Sequence, residues 1–335
     1  MAVGVLLVGG FGTRLMPLTR HTPKPMLPVA GLPVTEHQLA MARNAGITTV
    51  VLATSYLSEV FIPYFGDGSK FGMKLLYAVE KEPLGTGGAI RNAAELLARD
   101  EPIVIFNGDV LSSHNLRGQI EFHEKNSADV TLHLTNVDDA RAYGCVPIDS
   151  NGRVTAFLEK MENPPTNTIN AGCYVFSPLV IDEIAPNNVV SIERETFPHL
   201  VSSGKKVFGY VDQSYWLDIG TPKALMKGSR DLVSGVADAL ALRSAKVMSH
   251  SRESLVMEGA LIDASAKISG SSAIGPGAII GPGAHIDGSI ICSDVVIGDG
   301  ATITDSFIAS DTHIEKNSQI SGSYCENGEI SSLNL

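Results

Sequence analysis

Residues 3–29 read VGVLLVGGFGTRLMPLTRHTPKPMLPV: an apolar run, glycines at positions 9, 10 and 12, three cations (Arg14, Arg20, Lys24) and four prolines, with no acidic residue. The first carboxylate side chain is Glu36, in a chain of 335 residues with 36 Asp and Glu against 25 Lys and Arg and a formal charge of -11. An apolar run that ends in glycines predicts a buried strand whose exit lets the backbone approach a phosphate closely. Pro17, Pro23, Pro25 and Pro28 prevent a continuous helix from following. The segment is therefore expected as an extended loop over the carboxyl edge of a sheet, where open α/β sheets bind ligands. Arg14 and Lys24 would project from it, and the oxygens of a triphosphate are their expected counter-ions. This is not the dinucleotide fingerprint, because taking Gly10 and Gly12 as its first glycines puts Leu15 at the third, and it is not a P-loop. Read alone, a glycine cluster is more often a turn with solvated cations.

The chain around this loop is globular in composition, 44% hydrophobic and 18% charged, and long enough for two domains. Its negative balance argues against a non-specific nucleic-acid surface. Cys145, Cys173, Cys292 and Cys325 are scattered without a C-x-x-C pair, so neither a zinc site nor a disulfide framework is indicated, which suits a reducing cytoplasm. No run is long and apolar enough for a membrane span, and MAVGVLLVGG lacks the basic start of a signal peptide. None of the nine histidines forms an H-E-x-x-H pair, which weakens a metallohydrolase reading.

Up to about Arg230, the runs VGVLLV, TTVVLA, KLLYAV and PIVIFNGD alternate with helical patterns such as VTEHQLAMARNAG and GGAIRNAAELLARD. That alternation implies βαβ units, hence a largely parallel, Rossmann-like mixed sheet in an α/β domain over 1–232. VTAFLEK and NAGCYVFS follow closely and suggest an antiparallel addition near this sheet. Residues 233–258, rich in Ser and Ala, read as a helical or extended linker. Over 259–335 the texture changes. Isoleucines fall at 262, 268, 274, 280, 286, 291, 297, 303, 308, 314 and 320, a spacing of six with two slips to five. A sustained hexad predicts a short left-handed parallel β-helix, each hexad supplying one face. It is expected to serve assembly, as part of a homo-oligomer, and stability.

With these stretches in hand, GGFGTRLMPLTRHTPKPMLPV resembles the signature of the nucleotidyltransferases that make nucleotide sugars from a nucleoside triphosphate and a sugar 1-phosphate. The resemblance covers nearly the whole chain. EPLGTGGAI, FLEK, INAGCYVFSP, SIERETFP and WLDIGTP make it most similar to the mannose-1-phosphate guanylyltransferases. It implies GTP and mannose 1-phosphate as substrates, with glucose-1-phosphate thymidylyl-, uridylyl- or adenylyltransferase as the alternative. One departure is FLEKM, where Met161 replaces the family's proline.

The resemblance also implies roles for particular residues. Leu7, Gly9, Gly10, Gly12, Thr13, Arg14 and Lys24 would surround the nucleotide, with Glu82, Gly85, Thr86 and Asp109 completing its site. Gly144, Glu159, Lys160 and Asn170 would hold the sugar phosphate, and Arg14, Lys24 and Lys160 would be the catalytic cations. Asp109 and Asp218 would bind Mg²⁺, which needs few protein oxygens beside phosphates and waters. Without the resemblance, each Asp reads more readily as a cap or turn residue, and Glu159 with Lys160 as a solvated strand end. Arg194 reads as a helix-surface cation. The implied chemistry is in-line attack of the sugar phosphate on the nucleotide α-phosphorus, needing positioning and charge neutralisation rather than a general base. Two readings compete: an acyltransferase, which hexad β-helices also serve, and a non-catalytic regulatory paralogue. No histidine-bearing loop interrupts the hexads, His285 and His313 lying inside them, and Arg14, Lys24, Asp109, Lys160 and Asp218 are all present.

Overall fold

The computed structural model describes residues 2–10, 12–54 and 58–335, which fall into two compact units, residues 2–10 with 38–216 and residues 12–37 with 217–335. In chain order the strands up to residue 211 are β1 (Val3–Leu7), β2 (Pro28–Val29), β3 (Leu32–Pro33), β4 (Thr49–Thr54), β5 (Lys74–Val79), β6 (Ile103–Asn107), β7 (Val110–Ser112), β8 (Val130–Asn136), β9 (Gly144–Cys145), β10 (Leu158–Glu159), β11 (Thr168–Phe176) and β12 (Val207–Val211). The helices are α1 (Val34–Asn44), α2 (Ser58–Phe65), α3 (Gly85–Ala94), α4 (Leu116–Lys125), α5 (Phe197–Ser202) and α6 (Pro222–Ser234).

In the first unit β5, β4, β1 and β6 pair in parallel, as the alternation predicts, with Val5 opposite both Val51 and Ile105. Inserted next to β6 is β11, antiparallel to it and to β8, while β12 returns parallel to β8. The antiparallel segment NAGCYVFS is thus a central strand of the sheet, not an addition beside it; VTAFLEK contributes the two-residue β10, paired with β9, and a single bridge from Val154 to Ile148. Burial on both faces explains why β11 reads as a continuous apolar run from Ala171 to Phe176. Val5, Val51, Ile105, Leu132, Tyr174 and Phe176 meet Ile90, Ala93 and Ala94 of α3 in one core. The alternate residues of β8 face α4, whose Gln119 donates to the Thr131 carbonyl at 3.1 Å and whose His123 bonds the Thr131 hydroxyl at 3.0 Å.

In the second unit the eleven isoleucines resolve into three in-register ladders: Ile262–Ile280–Ile297–Ile314, Ile268–Ile286–Ile303–Ile320 and Ile274–Ile291–Ile308, the last completed by Cys325. Each ladder is one face of the β-helix. Both slips to five residues, Ile286 to Ile291 and Ile303 to Ile308, lie at the same corner, so the coil shortens there and the faces keep register. A buried serine stack runs inside that corner: Ser289, Ser306 and Ser323 each donate a backbone N–H to the hydroxyl of Ser272, Ser289 and Ser306 at 3.0–3.1 Å. Glycine follows isoleucine where coils touch; a Cβ on Gly298 would stand 2.5 Å from the Lys316 nitrogen.

The segment expected as a linker is partly strand. Val247–His250 and Ser254–Met257 form a hairpin, and the second of them pairs in parallel with Ser272–Ile274 at the head of the β-helix. Among the described residues, no helix is long and apolar enough to cross a membrane. All four cysteines are buried free thiols.

His37, His114, His123 and His133 are buried, and desolvation pushes the first three down to about 4 and His133 well below its ordinary value. Unfolded histidines take up protons near pH 6.5, so these neutral side chains contribute stability that is full above that pH and lost as pH falls towards their folded values. The melting temperature should therefore fall steadily between about pH 6.5 and 4.5. A flat profile across that window, read by scanning fluorimetry, would contradict the burial assigned to these rings.

Candidate active site

At the carboxyl edge of the first unit's sheet, the exits of β1 and β6 are tied together. The Gly108 N–H donates to the Leu7 carbonyl at 3.0 Å, and a Cβ at position 108 would lie only 2.1 Å from that oxygen. Any other residue there would push the strands apart. This tie brings half-buried Asp109 next in chain to the point where Leu7 leads through buried Val8 into exposed Gly9 and Gly10. Gly10 has φ +134°, a conformation open to glycine and strained for other residues.

The sugar-phosphate candidates converge on β9, β10 and β11. Glu159 pairs with Gly144 across β10 and β9, and its Oε2 would stand 3.0 Å from a Cβ on Gly144, so the absent side chain is what leaves room for the carboxylate. Lys160 Nζ lies 3.6 Å from Glu159 Oε1. Lys160 takes φ +50°; a proline at position 161 would push it towards extended backbone, so Met161 is compatible with the turn seen here. Asn170 sits where β11 bulges before Tyr174. Its Oδ1 accepts from Gly172 N–H at 3.2 Å and its Nδ2 donates to the Tyr174 hydroxyl at 2.9 Å, fixing the amide.

The segment 82–90 is clamped from behind. Gly85, at φ +69°, has the Val190 carbonyl 2.6 Å from where a Cβ would be, and Gly87 donates to the same oxygen at 2.8 Å. The Thr86 hydroxyl donates to Glu193 Oε2 and accepts from Ile192 N–H, each at 2.9 Å, which ties this segment to the turn at Ile192–Thr196. Glu82 is exposed beside the turn, while Glu80 accepts the Leu84 N–H at 3.2 Å. Burial raises the Glu80 carboxyl.

Glu193 was not foreseen. The SIERETFP stretch draws attention to Arg194, which is exposed, whereas Glu193, the second residue of a π-helical turn (Ile192–Thr196), is half-buried. Desolvation chiefly, with the Glu159 charge adding, holds its carboxyl above the usual range. A half-buried carboxyl in a π-turn, bonded to Thr86 and within the electrostatic reach of Glu159, is the kind of group that marks a candidate site. No local pattern marks it, since an acidic residue near a helix start is ordinary.

The remaining candidates belong to the second unit. Gly12 (φ +59°) caps the short turn Thr13–Leu15, and its carbonyl accepts the Thr19 hydroxyl at 2.9 Å. A Cβ there would meet Lys24 Cβ at 3.2 Å, so the loop folds back to bring its two cationic turns together. Thr13 and Arg14 are exposed and Lys24 is half-buried. Arg14 Nη2 and Asp218 Oδ1 would each stand 2.8 Å from a Cβ on Gly220, so the guanidinium and the carboxylate share the space that glycine leaves open. Among the described residues no group of three or more His, Cys, Asp or Glu converges on a point. Isolated carboxylates fit a cation that keeps waters and phosphates as ligands and do not fit a protein-caged zinc.

Because the folded Glu193 carboxyl lies above its unfolded value, its contribution destabilises the fold progressively as pH rises through the carboxylate range. Glu193→Gln keeps an acceptor for Thr86 and loses the charge. Its melting temperature relative to wild type should rise as pH goes from about 4 to 7. A difference that does not change with pH would remove the buried charge from the account.

Residues 3–235 match the nucleotidyl transferase family model, and residues 239–331 match the GMPPB C-terminal domain. The mannose-1-phosphate guanylyltransferase of Mycobacterium tuberculosis is 49% identical over 87% of this chain and 80% of its own. The mannose-1-phosphate guanyltransferase of Pichia angusta is 38% identical over 79% and 72%. Among solved structures, HddC from Yersinia pseudotuberculosis complexed with GMP-PN superposes with a TM-score of 0.59 at 30% identity, covering 69% of this chain and 99% of HddC. A putative glucose-1-phosphate thymidylyltransferase from Bacillus anthracis shares the fold at 24% identity and a TM-score of 0.63, over 68% of this chain and 94% of its own. The chain belongs to the nucleotidyl transferase family and carries the GMPPB C-terminal domain behind the family's catalytic fold.

Proposed function

We propose that this chain transfers a guanylyl group from GTP to mannose 1-phosphate, forming GDP-mannose and releasing pyrophosphate. The observation that carries the reading is the Glu159–Gly144 pairing with Lys160 beside it: a carboxylate with room to accept sugar hydroxyls, next to a cation suited to the sugar's phosphate. The resemblance to curated guanylyltransferases over most of the chain supports the choice of base and sugar.

In the proposed reaction an oxygen of mannose 1-phosphate attacks the α-phosphorus of GTP in line. The new P–O bond forms as the bond to the β-phosphate bridging oxygen breaks, and the electron pair leaves with pyrophosphate. The attacking oxygen is already anionic, so no residue need take a proton. Arg14 and Lys24 bind the triphosphate and offset the repulsion between two anions; Lys160 holds the sugar phosphate; Glu159 and Asn170 orient the sugar hydroxyls. The exposed backbone of Gly9 and Gly10 follows β1 without side chains to obstruct a phosphate. Glu82 offers an acceptor to the N–H groups of guanine. A divalent cation, proposed as Mg²⁺ with Asp109 and Asp218 each as a carboxylate ligand, would neutralise polyphosphate charge when bound. A cytoplasmic site and assembly with copies of itself belong to the same proposal.

Pyrophosphate release measured over four nucleoside triphosphates and several sugar phosphates should be greatest for GTP with mannose 1-phosphate. A preference for dTTP with glucose 1-phosphate would replace the substrate assignment. Lys160→Ala should raise KM for mannose 1-phosphate by roughly ten- to a hundredfold, the cost of one charge-assisted contact, and leave GTP affinity by calorimetry nearly unchanged. Arg14→Ala should weaken GTP or abolish turnover. Equal loss of GTP affinity in both variants would mean the two anions are wrongly placed.

A further inference from the structure

The loop that carries Arg14 and Lys24 is built into the same compact unit as the hexad domain, residues 12–37 packing with 217–335. Its attachments are specific. The hairpin of β2 and β3 turns through Ala30 (φ +48°) and Gly31 (φ +75°). Buried Ala30 donates its N–H to the Ser229 hydroxyl of α6 at 2.9 Å. A Cβ on Gly31 would stand 2.8 Å from Met257 Cγ, so the side chain of the strand Ser254–Met257, itself 3% exposed, fills the space beside the turn. Farther along the loop, Arg20 pairs with Glu329 at 2.9 Å and His21 lies 4.0 Å from Glu326, both acidic residues belonging to the terminal hairpin of the β-helix.

Helix α6 joins these attachments to the repeat. Ser229 reaches the loop, and the next residue, Arg230, turned away around the helix, donates to the Gly288 carbonyl at 3.0 Å and pairs with Asp305 at the β-helix corner. The loop itself is cross-tied. Thr35 donates to the Pro25 carbonyl at 3.0 Å, His37 Nε2 bonds the Val29 carbonyl at 2.9 Å, and Lys24 is packed beneath Gly12. Movement at the hairpin is therefore carried to the turns that present Lys24 and Arg14.

We propose that helix α6 and the strand Ser254–Met257, which tie the triphosphate-binding loop to the hexad repeat, are the seat of that loop, with Ser229 and Met257 as positioning residues that set nucleotide affinity through Arg14 and Lys24. A segment expected only as a linker, together with α6, then acts on the binding of one substrate. The proposal rests on the assignment of this loop to the triphosphate.

The test uses the full chain. Met257→Ala empties the space beside Gly31, and Met257→Leu refills it; Ser229→Ala, a smaller change, carries the same test should Met257→Ala fail to fold. In Met257→Ala and Ser229→Ala, KM for GTP should rise about three- to tenfold with KM for mannose 1-phosphate unchanged, as expected when a binding group is displaced rather than removed. Amide exchange should quicken over residues 12–33 and stay the same in the first unit's sheet. Met257→Leu should restore both. Quickened exchange with an unchanged GTP term, or an equal rise in both KM values, overturns the proposal. Arg14→Ala with normal GTP affinity would instead fault the loop's assignment, which keeps the two failures apart.

Discussion

The distance of 2.1 Å between the Leu7 carbonyl and a hypothetical Cβ at Gly108 is the constraint on which the first unit's site depends. Two parallel strands can leave a sheet in diverging directions. Here a hydrogen bond and the lack of a side chain hold their exits in contact, so a carboxylate and a glycine turn come off neighbouring strands at one edge. Everything downstream is arranged around that edge. The insertion of β11 beside β6 places the bulge with Asn170 on the sheet's other flank, and Gly172, in the bulge, would meet Asn107 at 3.0 Å if it carried a Cβ.

Charge placement follows the same economy of position. The acidic chain keeps carboxylates out of the loop that bears Arg14 and Lys24, and Asp218, which shares the space beside Gly220 with Arg14, is proposed to act through a cation. Glu159 and Glu193 are allowed to crowd one another in the first unit, where one is pushed towards its protonated form.

Much of this was legible in the sequence for physical reasons. The β1–β4–β5–β6 alternation, the proline-broken loop and the hexads are short-range patterns, set by burial on both faces of a strand, by a missing N–H, and by a repeating interior position. The ladders even explain the two slips in the isoleucine spacing. What escaped depends on partners far apart in the chain. The central place of β11, the bond from Thr86 to Glu193, and the bond from Ala30 to Ser229 span separations that local pattern does not encode. The strands at 247–257 escaped for another reason: half of the pairing that makes them strands is supplied by residues 272–274.

The serine stack at the β-helix corner bears on how such a chain tolerates insertions and deletions. With hydroxyl and amide locked one coil apart, loss of a single residue on a flat face would rotate every following isoleucine out of the interior. The corner is where a residue can be spared, and the chain already shows it: the passage from Ile268 to Ile274 takes six residues where the next two coils take five. Length variation among related chains should accordingly gather at that one corner or arrive as whole coils, and the repeat would grow or shrink in quanta of one turn.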